Sequence, residues 1–171
     1  MKLWVFMRSL RPAQLWKLLI FSVGNLSRIW PTWQATKKSV AYASKYYGRQ
    51  HHKNSPANAF RHALWNYLIA RKCMKNRAEI EEILSWTKKI TDLHENLFPN
   101  SDLARAMDLH NNAIGRLIFR DHMSKSETEI LQILLEMTKD SQRVYTLEQL
   151  GEVAQNQMIH IETVTGSGKI V

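Results

Sequence analysis

At 171 residues, 44% of them hydrophobic and 23% charged, the chain has room for one domain with a real core and lacks the bias of a disordered or fibrous protein. A single cysteine, Cys73, excludes an internal disulfide framework and fits a reducing compartment. The net charge of +9 is uneven: residues 1–78 hold 15 Lys/Arg and no acid, and residues 79–171 hold 9 Lys/Arg and all 15 acids. Such a basic half fits an anionic partner, a membrane surface or nucleic acid.

The N-terminal segment, residues 1–48, interleaves Trp4, Trp16, Trp30 and Trp33 with Lys2, Arg8, Arg11, Lys17 and Arg28. Indoles and cations around an apolar helix face suit the bilayer interface, so Trp4, Trp16, Lys17, Trp30 and Trp33 are the expected membrane contacts. The longest apolar run, Leu18 to Val23, is far short of the roughly 20 residues that span a bilayer. The expected setting is therefore cytoplasmic, peripheral on the inner face of the membrane.

Helical periodicity runs almost throughout, predicting an all-α domain of about six or seven helices with an amphipathic basic N-terminal helix. The first helix is expected from Pro12 to about Gly24, and a second opens at Pro31 and stops at Gly48. Residues 49–160 form the expected helical core. Within it, Arg49 to Asn54 is a connector and Ser55-Pro56 starts a third helix with Phe60, Ala63, Leu64, Tyr67 and Leu68 as its buried face. A fourth helix is expected over about 77–97, ending before Pro99, and a fifth over about 102–120, capped by Ser101. Ser124 with Glu127 forms a capping-box pattern for a sixth, and Thr146 with Gln149 starts a seventh reaching about His160. Residues 161–171, with Gly-Ser-Gly, read as a frayed tail. Cys73 sits near Arg71, Lys72 and Lys75, a setting that lowers a thiol pKa, although a lone cysteine is more often inert.

Three stretches are dense in site-type residues. On the third helix Asn58, His62 and Asn66 recur at i, i+4, i+8 and stack on one face, flanked by Trp65 and Ile69. A polar stripe with apolar neighbours implies a central helix facing an internal polar cavity; the bland counterpart is a structural hydrogen-bond network. On the fourth helix the apolar face Ile83, Thr87, Ile90, His94, Leu97 aims His94 inward, with Glu95 about 100° further round and Asp92 on the Glu95 side. On the fifth, Asp108 and Asn112 point together with Asn111 on the border, while His110 lies nearly opposite and reads as packing.

These residues can build either of two sites. One is a divalent-metal site with His62, His94 and Asp108 as ligands and Asn58, Arg61, Asn66, Asn111 and Asn112 orienting substrate or water. The other is metal-free, with His62 or His94 as general base oriented by Asp108 or Glu95. The His-Asn-Asn string resembles nucleases of the His-Asn-His type, but those place the residues on a hairpin plus helix, and this stretch reads as helix.

The run Asn58-Ala-Phe-Arg-His-Ala-Leu-Trp-Asn66, with Asp92-Leu-His-Glu95, Ala106-Met-Asp-Leu-His-Asn-Asn112 and Gly115-Arg116, resembles an uncharacterised bacterial domain family. Its relatives are small stand-alone proteins of Bacteroidetes-type bacteria and C-terminal domains of polymorphic-toxin-like repeat proteins. The resemblance covers roughly residues 50–120 and leaves the tryptophan-rich segment before residue 50 outside. It implies a domain built around Arg61, His62, Asn66, His94, Glu95, Asp108, Asn111 and Asn112 and supplies no reaction.

The functional expectation is a hydrolase, with or without a divalent metal, acting near a membrane on a lipid or envelope-type substrate. The alternatives are a non-catalytic interaction or immunity-type module, and a nucleic-acid binder or nuclease.

Overall fold

A computed structural model describes residues 25–74, 80–98 and 100–162. Among the described residues, six α-helices carry almost all of the regular structure: α1 (Leu26–Tyr47), α2 (Pro56–Cys73), α3 (Ile80–Leu97), α4 (Asp102–Asp121), α5 (Glu127–Lys139) and α6 (Leu147–Glu152). A 3-10 turn, Gly48–His52, joins α1 to α2. Two two-residue strands, β1 (Gln142–Arg143) and β2 (Ile159–His160), pair in parallel with Gln142 opposite Ile159. The all-α expectation holds. The helix expected at Pro12, with Trp4, Trp16 and Lys17, lies outside the described residues, as does the tail from residue 163.

The centre of the fold is α2, buried on almost every side from Ala57 to Ala70, with α1, α3, α4 and α5 packed around it. Its hydrophobic half, including Phe60, Leu64, Tyr67 and Leu68, joins Ile114, Phe119, Ile130 and Leu134 in the main core. A smaller cluster of Met107, Val144 and Ile159 seats the β-pair against α4. Gly115 sets the spacing of α2 and α4: a Cβ there would stand 2.0 Å from the Ala63 carbonyl oxygen. Only glycine permits this approach, which lets the side chains of α2 and α4 meet.

Several boundaries differ from expectation. α1 begins at Leu26 rather than Pro31, so Pro31 lies inside the helix, beyond its first turn, and leaves the Ser27 carbonyl without its i+4 backbone donor. Its end at Gly48 is as expected: φ is +57° there, and the Gly48 N–H donates to Ser44 O. Ser55 precedes α2, but its hydroxyl donates to Gln50 O instead of capping the helix. The capping box of α5 is Ser126 with Glu129, two residues beyond Ser124 and Glu127. Thr146 caps α6 as expected, yet α6 stops at Glu152 and His160 lies in β2, where Val144 N–H donates to its carbonyl.

Candidate functional site

The inner faces of α2, α3 and α4 enclose a polar centre. From α2 come Asn58, Arg61, His62 and Asn66, from α3 Thr91 and Glu95, and from α4 Asp108, Asn112 and Arg116. All except Arg61 and Arg116 are buried. The i, i+4 spacing that stacks Asn58, His62 and Asn66 on α2 also pairs Asp108 with Asn112 on α4, so the two helices face each other residue for residue.

The bonds within the centre are directional. Asn66 Nδ2 donates to Asn112 Oδ1 over 2.6 Å, and Asn112 Nδ2 donates to Glu95 Oε1 over 3.2 Å. The acceptor oxygen of Asn112 therefore also faces His62 Nδ1, at 3.1 Å, so Nδ1 carries the proton and Nε2 the lone pair. That lone pair meets Arg61 Nη2 at 2.6 Å, and Asp108 Oδ1 lies 3.3 Å from Nε2. Asn58 ties the other flank, donating to Asp108 Oδ1 over 3.0 Å and accepting from Arg61. Asn66 Oδ1 accepts from Thr91 Oγ1 and from Arg116 Nη1, the latter over 2.8 Å.

Burial dominates the protonation states. The His62 imidazole is held well below its usual range by desolvation and by the Arg61 charge, so it is neutral at physiological pH. Desolvation raises both carboxyls. Asp108 is pushed up to about 7, with Glu95 repulsion adding to burial and Arg61 opposing it, and Glu95 also moves upward, with Asn112 and Arg61 opposing. The centre thus holds two guanidinium cations, Arg61 and Arg116, one neutral imidazole and two carboxyls that resist ionising together.

His62, Glu95 and Asp108 each offer one ligand atom, and these atoms lie within 4.8 Å of one another. This donor set, one imidazole and two carboxylates, suits a divalent ion such as zinc or manganese. His62 is oriented through its other nitrogen by Asn112, in the manner by which outer partners fix a ligating histidine.

The grouping differs from the expected His62, His94 and Asp108. α3 keeps Ile83 and Thr87 inward as expected, but in its last turns Thr91 and Glu95 take the inner face in place of Ile90 and His94. Thr87, Thr91 and Glu95 point inward, while His94 is half-buried against Trp65 and Phe98, with ring centroids 5.1 and 4.7 Å away. Glu95 takes the third place. Burial and the Arg61 charge lower His94 to about 4, so it is a neutral ring packed beside the centre. Asn111 is buried but turned away: it donates to Met107 O and Ile159 O and accepts from Ile159 N–H, clamping β2 to α4. His110 bonds Gln157 O, consistent with a packing role. Thr91 and Arg116 were not singled out as site residues, yet each lies one turn from a site residue, Thr91 before Glu95 and Arg116 after Asn112.

An open groove of about 570 Å³ runs between α3 and α4, lined by Lys88, Asp92, Asn96, Arg105 and Arg116 among others. Arg116 belongs to both places, touching Asn66 in the centre and lining the groove. Cys73 is buried near Thr32 and Arg28 O, and burial raises its thiol pKa, so the nearby cations do not activate it.

Comparison with curated proteins and with solved structures gives no match. A family model does match, over residues 19–142, and so reaches well into the segment that the motif resemblance left outside. The chain belongs to that family, described as a domain of unknown function, DUF6973.

Proposed function

We propose that the chain is a hydrolase working through a divalent cation held by His62, Glu95 and Asp108. The observation that carries this reading is the convergence of those three ligand atoms within 4.8 Å, all on buried side chains from three different helices. Bound there, a divalent ion supplies activated water at neutral pH and polarises the bond under attack. The chain's own groups do the positioning. Asn112 holds the His62 ring in one tautomer, Asn58 holds Asp108, and Arg61 supplies a second positive charge toward oxygen atoms of a substrate. The carboxyls favour the same occupant, since two groups pushed toward protonation by burial ionise readily once a dication faces them. The His62 lone pair that would hold the ion is the one that meets Arg61 Nη2, so Arg61 would have to yield its place for the ion to bind.

The test is hydrolysis of a panel of nitrophenyl esters and phosphodiesters by the metal-free protein with zinc or manganese added back. Metal-dependent turnover that falls at least a hundredfold in Glu95→Gln and in Asp108→Asn supports the reading. Turnover that ignores both the metal and the two variants contradicts it.

A second reading, a non-catalytic interaction module, is favoured by one observation: the centre's polar side chains bond one another. The buried side-chain atoms without a partner among the described residues, His51 Nδ1 and the Tyr67 hydroxyl, lie outside this network. Under that reading the variants lower stability and no member of the panel is turned over.

A further inference from the structure

We infer that the outer face of α1 docks on an anionic bilayer surface through Leu26, Trp30, Trp33, Lys37 and Val40. These residues follow the i, i+4, i+7, i+11, i+14 spacing, which aligns them along one line of the helix. They lie opposite the buried Thr32, Ala35, Ser39 and Ala43, by which α1 packs into the fold. The four apolar members are exposed to unusual degrees, 69% for Leu26, 60% for Trp30, 44% for Trp33 and 39% for Val40. The two indoles are stacked with centroids 4.8 Å apart, and Lys37 Nζ lies 4.5 Å from the Trp33 ring.

Charge selects the occupant. Helix α1 contains Arg28, Lys37, Lys38 and Lys45 and no acid. Arg28 and Lys38 are engaged by Glu82 and Glu127, whereas Lys37 and Lys45 are exposed and rest on the rings of Trp33 and Tyr46. Residues 1–24, joined directly to this helix, add Lys2, Arg8, Arg11 and Lys17 and again no acid. Indoles flanked by lysines on a helix lying flat match the headgroup–acyl boundary, where rings sink and ammonium groups reach phosphates. Size disfavours a protein partner: the stripe exposes on the order of 400 Å² of apolar surface, about half of the ~800 Å² per partner in a stable interface. Its shape is a narrow ridge along one helix, suited to a plane.

The inner side of the same helix reaches the polar centre. Trp65 Nε1–H donates to Thr36 Oγ1 on α1, and the Trp65 ring packs edge-on to His62 and His94. The docking proposal is independent of whether the centre is catalytic.

The experiment is co-sedimentation of the full chain with vesicles of phosphatidylcholine alone and of phosphatidylcholine with phosphatidylglycerol, alongside sedimentation velocity without lipid. The expected result is binding to the anionic vesicles only, weakened at least about tenfold in the Trp30→Ser/Trp33→Ser double variant. Lys37→Gln should weaken it about fivefold. Circular dichroism of the variants, which change exposed positions, checks that the fold is kept. Three results would overturn the proposal: no vesicle binding, equal binding to neutral and anionic vesicles, or binding that survives the double variant. A lipid-free dimer that dissociates in the double variant, with no vesicle binding, would assign the face to a second copy instead.

Discussion

Two regions of this molecule break the rule that apolar groups go inside and polar groups outside, and they break it in opposite senses. Between α2, α3 and α4 a set of ionisable and amide side chains is buried, and on the outer face of α1 two tryptophans stand in water. The buried region is held by directional bonds and by the close approach at Gly115. Among the described residues, the exposed region is held by nothing beyond the helix that carries it. Changes in the first should therefore be felt in the fold, whereas changes in the second should be felt only in what the protein touches.

The sharpest way to break this contrast is at Gly115. Gly115→Ala improves helix propensity by about 1 kcal/mol, but its methyl would collide with the Ala63 carbonyl, and overpacking of backbone against backbone should win by about 3 kcal/mol or more. A cooperative unfolding transition unchanged by that substitution would show that α2 and α4 are not so closely packed. Next comes Asn112→Leu, which strands His62 Nδ1–H, Asn66 Nδ2 and a Glu95 oxygen. Denaturant unfolding should register a loss of about 3 kcal/mol, counting the three orphaned groups at ~1 kcal/mol each. Trp30→Ser with Trp33→Ser should stay within about 1 kcal/mol of wild type by the same measurement. A larger loss would mean that the exposed face is part of the core.

Arg61 sharpens the account of the centre. Arg61→Gln removes the resident cation, so calorimetry should show tighter binding of manganese, by about tenfold, if a dication and the guanidinium share the same acceptors. Unchanged or weaker binding would show that the two do not compete.

A separate prediction concerns pH. His51, buried in the 3-10 turn beside His52 and Arg61, is lowered to about 4 by burial first and by those neighbouring charges second. A depressed histidine contributes stability above its unfolded value of 6.5, and that contribution is lost as pH falls toward 4. Relative to wild type, His51→Gln should lose less stability between pH 6.5 and 4, read from denaturant midpoints. An identical pH slope would remove His51 from the acid response.

Much of this was legible in the residues. The polar stripe of α2 shows because three side chains recur at a helical spacing among buried apolar neighbours, and the pairing of Asp108 with Asn112 follows from the same rule. The Ser101 cap and the Gly48 stop are local signals, and the structure keeps both. What failed was non-local. On α3 the apolar positions Ile90, His94 and Leu97 suggested the inner face, but that face looks onto a polar centre, so Thr91 and Glu95 occupy it. Hydrophobic periodicity misleads wherever the interior is itself polar. The run Ser124-Lys-Ser-Glu-Thr-Glu129 offers the capping spacing twice, and only the structure selects the second. The β-pair joins residues about 17 positions apart, and the Asn111 clamp on Ile159 spans 48; neither leaves a mark in local pattern.

The central claim is that His62, Glu95 and Asp108 together hold one divalent ion. Elemental analysis of the purified protein, dialysed against zinc or manganese and then freed of loose ion, tests it most directly, with Glu95→Gln and Asp108→Asn alongside. Both variants are isosteric and replace carboxyls that burial already pushes toward neutrality, so the fold should survive. The account predicts about one ion per wild-type chain and little in either variant. A folded wild type without stoichiometric metal, or variants that keep it, would contradict the assignment.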